Sequence, residues 1–301
     1  ALSRARVFQP SGVPTMTVTT LDCAGRVLDL STPAVMGVLN ITPDSFSDGG
    51  HFFTKGGANL DRVRRSAAAM VEAGASLLDV GGESTRPGAQ PVSEQEELDR
   101  VLPVIEALTQ DLDAVVSLDS SSPRLMREGS SAGVGLLNDV RALQRPGALT
   151  AAVETGLPVC LMHMQGDPGS MQNAPRYDDV IEDVAGFLEE RREACIAAGI
   201  PRTRILLDPG FGFGKSLEHN LQLLTGLNRL TSLGAPLLVG LSRKSIIGKL
   251  TGRPVDERLA GSLALAMLAL QQGAAIVRVH DVRETVDVLQ ILQAATAVEN
   301  P

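Results

Sequence analysis

Eight short apolar segments rich in branched residues recur along the chain: VMGVLN (35–40), LLDVGG (77–82), VVSLDS (115–120), LLNDV (136–140), VCLMHM (159–164), RILLDPG (204–210), LLVGLS (237–242) and IVRVH (276–280). Each leads into a Gly/Asn/Asp/Ser-rich stretch, and nearly all of these are followed by a helical pattern. Continuous apolar runs, without polar alternation, mark strands covered on both faces, as in a parallel sheet flanked by helices. Eight such units with no long linker favour a closed (β/α)8 TIM barrel, an α/β fold, over an open sheet. The 301 residues suit one such barrel. A single domain is expected over 15–301, preceded by a flexible N-terminal leader at 1–14.

The connecting pieces are equally legible. GANLDRVRRSAAAMVEAG (57–74) and SEQEELDRVLPVIEAL (93–108) carry apolar residues at helical spacing, and the second opens with Ser93 as N-cap and Glu96 as its capping-box partner. VEAGASLLDV, SSAGVGLLNDV and QQGAAIVRVH each close a helix with Gly and pass at once into a strand, the αβ half of a repeating unit. Before the first unit, TMTVTTLDCAGRVLDL (15–30) alternates around Ala24-Gly25 and predicts a β-hairpin covering the bottom of the barrel.

Composition removes whole classes of function. A formal net charge of −8 disfavours a general nucleic-acid or membrane-surface protein, since the molecular field repels polyanions. Aromatics at 3%, with no Trp, leave no platform for stacking bases. Cys23, Cys160 and Cys195 are far apart and form no CxxC, so neither a disulfide framework nor a zinc site is implied. Cys160 and Cys195 read as small buried hydrophobes. No apolar run reaches the roughly 20 residues of a membrane span, and a cytoplasmic protein is expected.

Function on this fold sits at the C-terminal ends of the strands. There the sequence places Asn40, Asp79 and Glu83, Asp119, Asn138 and Asp139, His163, Asp208, Ser242-Arg243-Lys244, and Arg278 with His280. One or two of these could be satisfied core groups; eight polar strand ends together are not packing. Three loops are more specific. MGVLNITPDSFSDGG (36–50) is long and rich in turn residues, in the manner of a lid. DVGGESTRPGA (79–89) brings backbone N–H groups, hydroxyls and Arg86 to one place, a combination suited to an anion. GLSRKSIIGK (240–249) puts Arg243 and Lys244 directly after strand seven, a frequent phosphate position in barrels.

Together with NDVRAL, LMHMQG, LLDPGFGFGK and VRVHDV, these loops, in this order and spacing, resemble the dihydropteroate synthase family, the folate-pathway enzymes that sulfonamides inhibit. The resemblance runs from about residue 30 to the C-terminal region. It implies condensation of 6-hydroxymethyl-7,8-dihydropterin diphosphate with 4-aminobenzoate to give 7,8-dihydropteroate and pyrophosphate. It further implies a pterin site at Asp119, Asn138, Met162, Asp208 and Lys244. A diphosphate site with Mg²⁺ is implied at Asn40, Thr85, Arg86, Arg278 and His280, Asn40 being the metal ligand. An aminobenzoate site is implied at Phe46, Thr85, Arg86, Pro87, Phe213 and Ser242, with Arg86, Lys244, Arg278 and His280 as the catalytic cations.

The residue chemistry agrees with these roles. A pterin presents a guanidine-like donor edge to carboxylates and a carbonyl to Asn or Lys donors. Departing diphosphate calls for cations, and an amide oxygen is a hard ligand acceptable to Mg²⁺. No nucleophilic triad is evident, and an arylamine is already neutral near pH 7. A dissociative, SN1-like substitution driven by orientation and electrostatics is therefore expected. VSLDSSSP departs from the family's more usual Thr-Ser-Lys after the Asp, removing a lysine at Ser122, and REGSSAG is Gly/Ser-rich for a helix end. His51 and His219 read as solvated; His163 is either a core histidine or a ligand. The helix 257–273, apolar around most of its girth, suggests a homodimer. Two other functions remain at this level: a methyltetrahydrofolate methyltransferase, which shares the barrel and the pterin pocket, and a non-catalytic pterin-binding paralogue.

Overall fold

In the computed structural model, residues 18–42, 53–54, 57–84, 92–166, 169, 171 and 174–299 are described. The expected leader (1–14), Phe46, His51, Thr85, Arg86 and Pro87 lie outside the described residues. A hairpin of β1 (Thr20–Cys23) and β2 (Arg26–Asp29) precedes the first barrel strand, β3 (Ala34–Asn40). A small antiparallel pair, β4 (Phe53–Thr54) and β5 (Gly57–Ala58), follows, then α1 (Leu60–Glu72), β6 (Leu77–Gly81), α2 (Glu94–Asp111), β7 (Val115–Asp119) and α3 (Pro123–Ser131). Next come β8 (Leu136–Asp139), α4 (Ala148–Thr155), β9 (Val159–Met162), α5 (Val180–Ala197), β10 (Ile205–Asp208), α6 (Leu217–Thr225) and α7 (Leu227–Leu230). The last unit contains β11 (Leu238–Val239), α8 (Ser245–Thr251), α9 (Leu259–Gln271), β12 (Ile276–Val279) and α10 (Val282–Glu299).

All eight strands predicted from the apolar runs form, and they pair in parallel in the order β10-β9-β8-β7-β6-β3-β12-β11. A parallel bridge between Leu207 and Leu237, with Leu207 N–H donating to Pro236 O at 3.0 Å, joins the two ends and closes the barrel.

Alternation along each strand then sorts the residues. At the lower end, Met36, Leu77, Val115, Leu136, Cys160, Leu206, Leu238 and Ile276, one from each strand, form a single buried cluster. The next residue up each strand, such as Leu78, Val116, Leu137, Leu161 and Leu207, turns outward and packs under the helices. The position after that faces inward again, and there the character changes: Asp79, Ser117, Asn138, Met162, Asp208 and Arg278 occupy the upper interior. A continuous apolar run ending in a polar residue is this geometry written in sequence.

The hairpin closes the bottom, as its alternation predicts. Its turn, Ala24-Gly25, has φ of 55° and 86°, the pair of left-handed residues that a two-residue type I′ turn requires. Leu21 and Leu28 face one another across it and join the lower cluster, while Val27 on the other face is 71% exposed. Arg26 pins the hairpin to the α2–β7 connection, donating to Leu112 O and Ala114 O, each at 2.9 Å.

One capping detail differs from expectation. Ser93 caps α2, accepting from Glu96 N–H, but the Glu96 carboxylate pairs with Arg100, whose guanidinium also reaches Gly82 O at 2.9 Å. The capping box is found on α6, where Ser216 accepts from His219 N–H at 3.1 Å and His219 Nδ1 accepts from Ser216 N–H at 3.3 Å. His219, expected to be merely solvated, thus fixes a helix start and meets the Tyr177 ring edge-on.

Leu21 is 1% exposed, so truncating it leaves a cavity in the lower cluster. Leu21→Ala is expected to lower unfolding free energy by about 3 kcal/mol in urea titrations. Val27→Ala should change it by less than about 0.5 kcal/mol. Equal effects would mean that the hairpin does not close the barrel.

Candidate active site

The polar floor of the barrel mouth is built from inward positions on β6, β7, β8 and β12. Arg278 reaches across β3 and donates from Nε to Asp79 Oδ2 at 2.6 Å and from its terminal nitrogen to Asp119 Oδ2 at 2.9 Å. Asn138, paired in register with Asp119, donates its amide to the same Asp79 oxygen at 3.2 Å. Its own Oδ1 is buried with no hydrogen-bond partner among the described residues, an acceptor waiting for a donor. Burial, together with the charge of Asp79, pushes the Asp119 carboxyl up to about 7, and Arg278 opposes that rise only in part. For Arg278, the two carboxylates outweigh desolvation and hold the guanidinium firmly charged. Asp79, read from sequence only as a polar strand end, is fully buried and is the shared anion of this floor. Its signal was a carboxylate at an inward position of a wholly apolar strand.

The opposite side is made by β10 and the loops after β10 and β11. Asp208 is buried and accepts Gly210 N–H at 2.7 Å. Burial raises its pKa, and Lys244, the nearest opposing charge, lowers it. Desolvation brings the Lys244 ammonium down to about 8 despite Asp208. Lys244 donates to Phe211 O and lies 4.7 Å from the centre of the Phe213 ring. Asp208, Lys244 and Phe213, predicted separately, are thus brought together.

His163 is settled by its surroundings. It is 5% exposed, packs edge-on against Phe187 and shares a 2.9 Å hydrogen bond between Nδ1 and Lys215 Nζ. Burial and the lysine charge push its pKa down to about 3, so the ring is neutral and Nδ1 is the acceptor. It is a core histidine bonded to Lys215, a residue within LLDPGFGFGK that carried no assigned role.

The departure at Ser120-Ser121-Ser122 has a structural account. Ser122 accepts Leu125 N–H as the N-cap of α3 and donates to Glu94 at 2.6 Å, so a hydroxyl links α2 and α3 at this position. Ser121 donates to Asp139, which also accepts Arg141 N–H at 2.9 Å and Leu143 N–H at 2.8 Å. Those bonds hold a turn in which Ala142 and Leu143 both have positive φ, 50° and 59°, costly for residues with a Cβ. The turn delivers Arg141 to Glu83, at 3.2 Å, within the second loop.

Nearer the rim, His280 Nδ1 and Ser242 Oγ are 3.0 Å apart, and His280 N–H also donates to Ser242. Arg243, strained at φ 56°, pairs with Asp281 through Nε at 3.0 Å and sits beneath Arg258, which donates to its carbonyl at 3.0 Å. Arg243 is therefore committed to the framework of the β11 loop. Asn40 ends β3 half-buried, opposite Gly81. Met162 bounds a cavity of about 430 Å³ beside the floor, walled also by Val140, Met164 and Phe187 and rimmed by Glu83, Arg141, Gln144 and Arg145.

Residues 36–280 match the family model for pterin binding enzymes. Escherichia coli strain K12 dihydropteroate synthase is 53% identical over 277 residues, covering 92% of this chain and 96% of the relative. The chain belongs to the dihydropteroate synthase family. Among solved structures, the Yersinia pestis dihydropteroate synthase with a sulfonamide drug complex superposes with a TM-score of 0.89 at 55% identity, covering 92% of this chain and 99% of that one. The Xanthomonas albilineans dihydropteroate synthase with 4-aminobenzoic acid gives a TM-score of 0.86 at 51% identity, covering 93% and 99%. The fold of a dihydropteroate synthase thus extends over nearly the whole chain.

In this family member the Asp119 pKa gives a pH signature. Its carboxyl is raised from 3.8 to about 7, so the folded chain binds more protons than the unfolded chain between those values. The contribution of Asp119 to stability is complete below about pH 4 and is lost as pH rises through 7. Thermal melts of Asp119→Asn should lack this decline, making the two melting-temperature curves converge or cross between those limits. Parallel curves would refute the assignment.

Proposed function

We propose that this site joins 6-hydroxymethyl-7,8-dihydropterin diphosphate to 4-aminobenzoate, releasing pyrophosphate and 7,8-dihydropteroate, by a dissociative substitution. The observation that carries this reading is the unpartnered Asn138 Oδ1 beside two buried carboxylates and an ammonium, a set matching the edges of a pterin. Asp208 accepts from the donor edge of the ring, Asn138 accepts a further N–H, and Lys244 donates to the ring carbonyl. Met162 packs on one face. Asp119, paired with Arg278 at 2.9 Å, completes the pterin floor.

The floor binds and orients; it has no strong base to offer, and none is needed. The reacting carbon is attached to a conjugated ring that spreads positive charge, so the C–O bond to the diphosphate breaks with its electron pair leaving on oxygen. The arylamine nitrogen then forms the new C–N bond and loses its proton to solvent or to the departing pyrophosphate. Arg278 and His280, with Arg86 from the second loop, neutralise charge developing on the leaving group. Phe213 and Ser242 receive the aminobenzoate, together with Phe46, Thr85 and Pro87. In support of this, the Xanthomonas albilineans relative is a complex with 4-aminobenzoic acid.

Among the described residues no cluster of three or more His, Cys, Asp or Glu could hold a metal ion. One amide oxygen, that of Asn40, fits Mg²⁺, which keeps water and substrate phosphate oxygens as its other ligands. Asn40 would hold an ion carried in by the diphosphate. When bound, Mg²⁺ supplies charge neutralisation for the leaving group.

Bridging-to-nonbridging ¹⁸O exchange in pterin diphosphate tests the dissociative step. Exchange without aminobenzoate supports it; product formation with no exchange and no secondary isotope effect at the reacting carbon would overturn it. Lys244→Met is expected to lower kcat/KM by about 100-fold in a coupled pyrophosphate-release assay. A methyltransferase would release no pyrophosphate, and a binding paralogue would hold pterin without turnover.

Among the described residues no helix is long and apolar enough to cross a membrane. The homodimer is the second part of this proposal. Leu265, Ala266, Ala269 and Leu270 of α9 face the barrel, while Leu268 is 47% exposed, with Leu259 and, on α8, Leu250 also exposed. These three leucines would be covered by a second copy. Sedimentation velocity should show a dimer that Leu268→Glu converts to monomer; a monomeric wild type contradicts the reading.

A further inference from the structure

The loop between β10 and α6, Pro209–Gly214, contains Gly210, Gly212 and Gly214 with φ of 67°, 81° and 59°. A Cβ on Gly210 would lie 1.8 Å from His163 O, so the chain folds hard against the end of β9. Three glycines in one short loop confer that path and equally confer many others. Something must choose among them.

The carbonyls show what does. Gly210 O and Phe213 O both accept from Lys215 Nζ, at 2.9 Å and 3.1 Å, and Gly214 O accepts from Tyr177 Oη at 2.7 Å. The third Lys215 contact is His163 Nδ1, at 2.9 Å. An ammonium has three donors, and here each has an acceptor, in a site where the side chain is only 2% exposed. A fourth carbonyl, Phe211 O, is taken by Lys244, whose ammonium also lies over the Phe213 ring. Asn220 completes the frame by accepting Gly212 N–H at 2.7 Å.

We propose that Lys215 is a positioning residue for the condensation: its three bonds clamp the glycine loop to β9, and so place Phe213 and the Lys244 ammonium relative to the bound pterin. A buried lysine serving packing alone would be replaced without loss by Met, which has nearly the same length and no desolvation penalty. The clamp instead demands the three donors. Lys215 touches no substrate and acts through Phe213 and Lys244. The inference rests on the assignment of Phe213 to the aminobenzoate site.

The test is a double-mutant cycle of Lys215→Met and Phe213→Ala, with kcat/KM for 4-aminobenzoate and the dissociation constant of 6-hydroxymethylpterin measured separately. Lys215→Met should lower kcat/KM for aminobenzoate by about 100-fold, the effect of misplacing a group by about 1 Å. Pterin affinity should change by less than about threefold, because Asp119 and Asn138, on β7 and β8, keep their own supports. In the Phe213→Ala background, adding Lys215→Met should lower kcat/KM by less than about fivefold, since the two act as one unit. Additive losses, or equal losses in both parameters, would overturn the proposal and leave Lys215 a stability residue.

Should Lys215→Met fail to fold, His163→Leu removes one acceptor and leaves the lysine. It should lower aminobenzoate kcat/KM in the same selective way, and His163→Asn, which restores an acceptor near Nδ1, should recover most of it; no loss with Leu sinks the clamp. If Phe213→Ala leaves aminobenzoate kinetics unchanged, the site assignment fails. If Phe213→Ala is impaired while Lys215→Met is not, the clamp alone fails.

Discussion

Charges inside an aliphatic barrel must neutralise one another, and this molecule brings them together in two groups. On one side Asp79 and Asp119 share Arg278. On the other, Asp208 lies near Lys244 and Lys215, and its carboxylate is the largest Coulombic influence on both ammonium groups. Leaving any one of them alone would cost several kcal/mol of desolvation. The upper interior is therefore a rigid, mutually supported polar surface before a substrate arrives. Electrostatic catalysis needs that property, because dipoles already held in place do not have to reorganise as charge develops on the leaving group.

The supports of that surface come from elements that never touch it. Ser121 and Asp139 hold the left-handed turn at Ala142-Leu143, Ser122 ties α3 to Glu94 of α2, and Lys215 draws the glycine loop onto β9. In the first and last of these a backbone path that propensity does not favour is fixed by a buried side chain with its hydrogen bonds filled. Among the described residues, four of the five non-glycine residues with positive φ, Ala142, Leu143, Ala174 and Arg243, lie in loops that follow strands at the mouth of the barrel, and Ala24 in the hairpin is the exception at the bottom, where regular strands and aliphatic packing otherwise prevail.

This contrast explains what could be read from the sequence. The eight strands, the hairpin with its Ala24-Gly25 turn and the helix starts follow from local pattern, because buried parallel strands and caps depend on residue type within a few positions. Asp119, Asn138, Asp208 and Lys244 were legible as polar residues at strand ends and as parts of known motifs. Partnership was not legible. That Arg278 would cross β3 to reach Asp79 and that His163 would pair with Lys215 depend on side chains brought close by barrel closure, 199 and 52 positions apart in the chain, while Glu96 leaves its capping box for Arg100 one turn along α2, where Arg100 is also held by Gly82 O. His219 was misjudged for a related reason: a histidine can serve as the reciprocal member of a capping box, a role usually filled by Glu or Gln.

The hairpin at the bottom of the barrel also bears on how the chain is made. Leu21 and Leu28 belong to a cluster that includes Leu238 and Ile276, so the hairpin strands find part of their apolar partner only after β11 and β12 emerge. At about 5–20 residues per second, that interval is on the order of ten to fifty seconds. Until then part of the hairpin's aliphatic face lacks its partners, and contacts of such sequence separation form slowly once possible. The element that seals the base of the finished barrel thus completes its packing only once β11 and β12 have been made.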